Sequence, residues 1–356
     1  MKKLIAMICA MALVMGLFAA PAMAESGKPL KILIVTSSGV DDGNFNQDCY
    51  LGITNFIANH PDCTVQDIKE PDMAELIPTI ERLVGDYDVF VCPGFNFGAI
   101  GDIVLANPDK YFLVVDSTIQ DSEGNPVTAN NVYTMTYKEQ EGGFMAGIAA
   151  ALTSKSGKVA EINGMPFPSN TNYQFGFMGG VKYANEHYGT SVQCVELPSF
   201  SGGDGVGGNY VGAFTDPATG KVVAETLIGE GCDVIFAAAG ESGNGALTAV
   251  KEANGVWFIG CDADQFDDGV KGDGNVILTS ALKVMHLDVE RQLNAIYDGT
   301  FVGQDALLGA DTDSTGYVSA AGRQQLSEDA LSKMAECYEL MKKGEIVPPT
   351  SLAELR

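Results

Sequence analysis

The sequence predicts an α/β protein made of two doubly wound parallel-sheet lobes with a hinge and an interlobe cleft. Three observations predict it. Short apolar runs alternate with amphipathic stretches of helical period. The alternation pauses at a polar, turn-rich segment around Gly124-Asn125-Pro126 and then restarts. Polar residues gather where apolar runs end, at Val35-Thr36-Ser37, Cys92-Pro93-Gly94-Phe95, Val115-Asp116, Ala239-Gly240-Glu241 and Cys261-Asp262. Ligands of open α/β sheets bind beyond the carboxyl ends of the strands. Two lobes whose strand ends face one another would therefore enclose a small solute.

Each element follows from its own residues. Leu30–Thr36 is a near-continuous apolar run, the pattern of a strand covered on both faces. Gln47–Asn59 reads as a helix with Leu51, Ile53, Phe56 and Ile57 on one face. A charged strand Asp62–Lys69, a helix Met73–Leu83, a strand Asp88–Cys92, a helix Phe97–Ala106 and a strand Tyr111–Asp116 follow. Strands separated by helices imply a parallel sheet, because parallel neighbours need a crossover. Ser117–Tyr137 reads as an extended linker. Beyond it come the helix Gln140–Leu152, strand Lys158–Ile162, helix Gln174–His187, strand Ser191–Glu196, helix Gly220–Ile228, strand Val234–Ala238, helix Gly245–Ala253 and strand Val256–Asp262. Val276–Lys283 and the helix Leu287–Tyr297 add a further β-α piece, and Ser327–Lys343 is a late helix. The expected division is residues 25–120 with 266–305 for lobe 1, and 121–265 with 306–356 for lobe 2.

Composition narrows the function classes. The 356 residues are 46% hydrophobic and 19% charged, too apolar for disorder, and the length suits about two domains. Lys2 and Lys3, the apolar Leu4–Ala20 and Ala22-Met23-Ala24 form a signal peptide over residues 1–24, with cleavage before Glu25. This predicts secretion across a bacterial cytoplasmic membrane, to a periplasm or a cell surface. Cys9 lies inside the apolar region and lacks the Leu-small-small approach of a lipid-anchor site. The net charge of −25, with only four arginines, excludes nucleic acid as a partner and predicts a monomer. Cys49, Cys63, Cys92, Cys194, Cys232, Cys261 and Cys337 form no C-x-x-C and have no histidine at metal-ligand spacing. No metal or cofactor is expected, and the odd number argues for mostly free thiols.

Several residues suit ligand contact. Asp42, Phe45 and Asn46 follow the first strand; the same residue types suit either a turn with a helix N-cap or an aromatic face flanked by polar acceptors. Phe95 and Phe97 flank the third strand end, one for the cleft and one for the core, with Phe95 the cleft candidate. Asp116 ends an apolar strand, where a carboxylate is costly unless paired or facing a cleft. Phe214 sits in a glycine-rich loop, and Gly240 allows close backbone approach. Asp262 with Lys283 suits a cis-diol, the carboxylate accepting and the ammonium donating.

Five segments, in order across nearly all of residues 30–330, also carry a resemblance. They are Asp41-Asp42-Gly43-Asn44-Phe45-Asn46-Gln47, Tyr137-Lys138-Glu139-Gln140-Glu141-Gly142-Gly143-Phe144-Met145-Ala146-Gly147, Gly212-Ala213-Phe214-Thr215-Asp216, Ile259-Gly260-Cys261-Asp262-Ala263-Asp264-Gln265 and Leu278-Thr279-Ser280-Ala281-Leu282-Lys283. Together they resemble the basic membrane protein family, substrate-binding proteins of ABC importers that include purine nucleoside receptors. The resemblance implies the type I periplasmic-binding-protein fold, in which the chain crosses between lobes three times. It implies a base clamp at Asp42, Phe45 and Asn46, a base contact at Asp116, a second stacking face at Phe214, and ribose contacts at Asp262 and Lys283. The expected function is an extracytoplasmic receptor, not an enzyme, that delivers a purine nucleoside to an ABC permease.

The rivals are a receptor for a sugar, a flavin or a signal molecule, a secreted nucleoside hydrolase, and a surface sensor. Sugar sites often stack on tryptophan, and the sole Trp257 sits inside a strand. His60, His187 and His286 form no evident cluster, which opposes a hydrolase. Gly203-Asp204-Gly205-Val206-Gly207-Gly208 does not open a helix after a strand, as dinucleotide binding requires. Asp262-x-Asp264 and Asp311-x-Asp313 do not complete a calcium loop, and Gly240-Glu241-Ser242-Gly243-Asn244 lacks the second glycine of a nucleophile elbow.

Overall fold

The structure is a computed structural model that describes residues 27–43, 45–203 and 205–356; the expected leader lies outside them. The first lobe runs β1 (Lys31–Thr36), α1 (Phe45–Asn59), β2 (Thr64–Lys69), α2 (Leu76–Leu83), β3 (Val89–Pro93), α3 (Gly101–Ala106), β4 (Tyr111–Val115) and β5 (Val132–Tyr137). The second continues with α4 (Glu139–Thr153), β6 (Lys158–Asn163), α5 (Pro168–Tyr188), β7 (Gln193–Cys194), α6 (Pro217–Gly229), β8 (Val234–Ala238), α7 (Glu241–Glu252) and β9 (Trp257–Gly260). A small hairpin, β10 (Val270–Lys271) and β11 (Gly274–Asn275), precedes β12 (Ile277–Lys283). Then come α8 (Met285–Tyr297), β13 (Gln304–Leu308), β14 (Thr315–Tyr317), α9 (Glu328–Lys342) and α10 (Leu352–Leu355).

Two six-stranded sheets result, ordered β13-β5-β4-β3-β1-β2 and β14-β12-β9-β8-β6-β7. Read from the far edge, both follow the 2-1-3-4-5 winding, with the order reversing beside the first strand of each lobe. That reversal opens a crevice at the carboxyl ends, where ligands bind. Each sheet is covered on both faces by a separate core. Ile32, Ile34, Val89 and Val91 pack under α1 and α8, while Leu33, Val35, Phe90 and Phe112 pack under α2 and α3. Val234, Phe236 and Ile259 pack under α4, α5 and α9; Ala160, Ile162 and Ile235 pack under α6 and α7. Helices α4 and α5 come together through glycines: a Cβ on Gly147 would lie 2.1 Å from the Phe177 carbonyl oxygen, so no side chain fits. No helix among the described residues is long and apolar enough to cross a membrane.

The chain crosses between lobes three times, as the resemblance implied: at Lys138 after β5, at Val284 after β12, and through Gly309–Ser314 between β13 and β14. Lys138 (φ −87°, ψ 67°) and Val284 (φ −86°, ψ 61°) share one backbone conformation. The crossings are tied together, Lys138 N donating to Leu308 O at 2.8 Å and Val284 N to Ser314 O at 2.8 Å.

Three expectations change. Val132–Tyr137, read as the end of a linker, is a strand paired with β4 and β13. Lobe boundaries at 120/121, 265/266 and 305/306 therefore do not follow the sheets. Strand pairing keeps β5 in lobe 1 and β12 in lobe 2, and β13, which spans 304–308, belongs whole to lobe 1. The strands β13 and β14 have no apolar run because both lie at sheet edges, where one flank meets no partner. Leu51 is 44% exposed, since α1 turns Cys49, Ile53 and Phe56 toward the sheet instead. All seven cysteines of the described residues are free, and all but the half-buried Cys194 are buried.

One core residue breaks the apolar pattern. Glu161 follows Val159 on the same face of β6, is buried, and neither carboxylate oxygen accepts a hydrogen bond from a described residue. Burial pushes its carboxyl up to about 8, reinforced by Glu196. The folded state holds this proton where the unfolded chain, with an ordinary carboxyl, has released it. Stability is therefore fully present at acid pH and falls as pH rises toward 8. Glu161→Gln should unfold a few degrees higher than the parent at pH 8 and close to it at pH 5. Parallel melting profiles for the two proteins across that range would contradict the assignment.

Candidate functional site

The carboxyl ends of both sheets face a cleft whose space, mouth included, is about 880 Å³, the size class that holds small solutes. Asp42, Phe45, Asn46, Phe95 and Asp116 line it from the first lobe, and Phe214, Gly240, Asp262 and Lys283 from the second. Nine residues separated by up to 241 positions thus meet in one place. Ser38, Met73, Asn170, Tyr173 and Cys261 complete much of the lining.

Asp42 stands both at the start of α1 and in the cleft lining. Its carboxylate caps α1, accepting from Asn46 N at 3.1 Å and Gln47 N at 3.0 Å, and it also lines the cleft. The Asn46 amide donates to Asp42 Oδ2 at 2.9 Å and Ser38 Oγ at 2.7 Å. Phe97 is fully buried, and Phe95, 37% exposed, faces the cleft. Phe95 meets Phe167 of the other lobe with ring centroids 4.2 Å apart, and Phe167 lies 6.3 Å from Phe214 at 12° between planes. Gly240 opens α7 at φ 55°, a left-handed conformation that favours glycine.

The floor of the cleft is ionic. Asp116 (φ 61°) and Asp262 (φ 66°) both take the left-handed conformation, at equivalent places after β4 and β9. Asp is among the few side chains that accept it, at about 1 kcal/mol. Between them lies Lys283, whose Nζ is 2.6 Å from Asp116 Oδ2, 3.6 Å from Glu139 Oε1 and 4.0 Å from Asp262 Oδ1. The ammonium also lies 5.3 Å from the Phe45 ring centre, 5.5 Å from Tyr137 and 5.7 Å from Tyr173. Tyr173 donates its hydroxyl to Asp262 Oδ1 at 3.0 Å, and Asn172 its amide to Glu139 Oε2 at 3.0 Å. Burial alone would lower the pKa of Lys283, but Asp116, Asp262 and Glu139 outweigh it and the ammonium is held charged. Burial raises Asp116 despite Lys283, and pushes Glu139 up to about 7. Asp116 Oδ1 is buried and accepts no hydrogen bond within the described residues.

The arrangement presents hydrogen-bonding and aromatic groups to the cleft. Among the described residues no group of three or more His, Cys, Asp or Glu could hold a metal. His286 is paired with Asp48 at 2.7 Å, and His60 with Asn294 at 3.0 Å, neither in the cleft lining. No arginine is among the lining residues; Arg323 is held by Asp264 and Asp267. Asp264 also accepts from Phe266 N at 3.0 Å, a turn cap rather than a ligand contact.

Sequence reasoning missed Glu139, Phe167 and Tyr173. Glu139 lay in a quoted segment without a role. Phe167 had a signal, its place between Pro166 and Pro168, while Tyr173 was hidden in helical periodicity.

Removing the ammonium strands buried carboxylates. Lys283→Met should cost about 3–5 kcal/mol of folding stability, and Lys283→Met with Asp116→Asn should recover part of it. Thermal or urea unfolding of both variants checks this; an unaffected single variant would overturn the ion-pair geometry.

Comparison with known proteins agrees with this architecture. The model of the PnrA-like ABC transporter substrate-binding proteins matches residues 30–201 and 205–349. A CD4+ T-cell-stimulating antigen of Listeria monocytogenes is 30% identical, covering 91% of this chain and 89% of its own. The ABC transporter nucleoside-binding protein BmpA of Lactococcus lactis is 28% identical, with 85% and 87% covered. A crystal structure of an ABC transporter solute-binding protein from Aeropyrum pernix superposes with a TM-score of 0.76 at 22% identity, over 92% of this chain and 95% of that one, and so shares the fold. The chain belongs to the PnrA-like family of ABC transporter substrate-binding proteins, the basic membrane protein family that its own segments resemble.

Proposed function

We propose that this protein is a secreted receptor that captures a purine nucleoside between its lobes and hands it to an ABC permease. The observation that carries the reading is the Asp116–Lys283–Asp262 line across the cleft floor, set among aromatic rings and without an arginine. Asp262 can accept from ribose hydroxyls while Lys283 donates to ribose oxygens, both charge-assisted. Phe45 and Phe214 offer apolar faces to a planar base, and Asn46 and Asp116 offer polar atoms to its edge. Closure of the hinge buries the solute, and no bond is made or broken. The relative from Lactococcus lactis carries a nucleoside-binding name, which favours this solute. Residues 1–24 supply the export signal, and the acidic, soluble surface suits diffusion to a permease as a monomer.

The one cation among the described lining residues, Lys283, is already engaged by Asp116, Glu139 and Asp262, so a phosphate meets no uncommitted positive charge. Asp42, Asp116, Glu241 and Asp262 outnumber the single lysine of the lining, so like charges would oppose a nucleotide by several kcal/mol. Calorimetric titration with inosine, adenosine and guanosine should show binding, and each monophosphate should bind about a hundredfold more weakly. Equal affinity for a nucleoside and its monophosphate would overturn the reading, and release of free base would point to a hydrolase. Asp262→Ala should weaken ribosides by about 1.5–3 kcal/mol and spare any free-base binding. Equal loss for both would remove the ribose role.

A further inference from the structure

The cleft floor carries more carboxylates than its ammonium can balance. Lys283 makes its short contact with Asp116 at 2.6 Å, leaving Glu139 at 3.6 Å and Asp262 at 4.0 Å. Asp116 and Asp262 line the cleft, where a solute can donate to them; Glu139 is 3% exposed and does not line it. Its remaining hydrogen-bond donor is Asn172. Of the three carboxylates, Glu139 is the one a bound solute cannot satisfy.

We propose that Glu139 is a proton-linked positioning residue: when the lobes close over an uncharged solute, Glu139 takes up a proton from solvent and leaves Lys283 to the solute and the two aspartates. The inference rests on the nucleoside-receptor reading. A solute seated on the floor displaces the water that still reaches Asp116 and Asp262, and repulsion among the carboxylates grows as the local dielectric falls. A ribose oxygen that accepts from Lys283 also draws the ammonium from Glu139. Both effects raise the Glu139 carboxyl, which burial already pushes up to about 7. Among the other titratable groups around it, Asp116 is also raised by burial but keeps the short contact with Lys283 at 2.6 Å, while Tyr137, Tyr173 and Cys261 are held neutral by burial. Its helix neighbours face away, Lys138 pairing with Asp311 and Glu141 accepting from Ala310 N and Thr315 Oγ1.

The sign follows from linkage. A carboxyl whose pKa is higher in the closed, liganded state binds a proton on closure, so affinity is greatest below about pH 7 and falls as pH rises through it. A rise of one unit in the bound state makes the full change tenfold.

Calorimetric titration of inosine at pH 7.5 in phosphate and in Tris, which differ in ionisation enthalpy, counts the protons taken up. The parent protein should show a buffer-dependent enthalpy equivalent to a fractional proton uptake, and an affinity that falls about fivefold between pH 6.5 and 8.5. Glu139→Gln should lose the buffer dependence and vary by about twofold or less. Glu161→Gln, which removes the other high-pKa glutamate, should keep both. Inosine binding by the parent without proton uptake overturns this inference alone, even if Glu139→Gln fails to fold. Uptake that persists in Glu139→Gln or vanishes in Glu161→Gln overturns it as well. Absence of binding by every nucleoside overturns the underlying reading, and this inference with it.

Discussion

An ammonium taken from water into a protein interior loses several kcal/mol of hydration, and only close carboxylates can return it. Lys283 sits at that limit, almost completely buried at the last position of β12, with Asp116 of the opposite lobe 2.6 Å away. The pair makes the two lobes one electrostatic unit. It also explains why the cleft floor is built where it is: Lys283 directly precedes the crossing at Val284, and Glu139 directly follows the crossing at Lys138. Charge and crossing are thus adjacent along the chain.

The two lobes reach this floor by the same local device. Each sheet has the same winding, each fourth strand is followed within two residues by an aspartate in the left-handed conformation, and each fifth strand leads into a crossing with nearly the same dihedrals. A strand that continued straight would carry its next side chain past the cleft. The left-handed turn at Asp116 and Asp262 brings both carboxylates to one ammonium instead. The strain is tolerated because hydrogen bonds and the ion pair over-determine the geometry, as is common where backbone strain meets function.

Above the floor, the walls are aromatic. Phe95 and Phe167 touch across the cleft, while Phe45, Tyr137 and Tyr173 surround the ammonium with ring faces. Rings of this kind present large faces that move little, because an aromatic side chain has few rotatable bonds. His286 anchors α8 to Asp48 of α1.

Residue pattern alone determined the longer helices and the interior strands other than β5, because apolar runs and helical periods are local properties. It also brought Asp42, Phe95, Asp116, Gly240 and Asp262 forward, since each lies where an apolar run stops. The edge strands β13 and β14 and the lobe to which β5 and β12 belong were decided only by tertiary structure: an edge strand needs no apolar run, and pairing partners are set by contacts far away in sequence. The same reason hid Glu139, Phe167 and Tyr173. Glu139 is an ordinary first-turn acid of a helix until Lys283, 144 residues later, comes within 3.6 Å of it. A charge acquires its role from what folding brings beside it, and that neighbour is absent from any local stretch of chain.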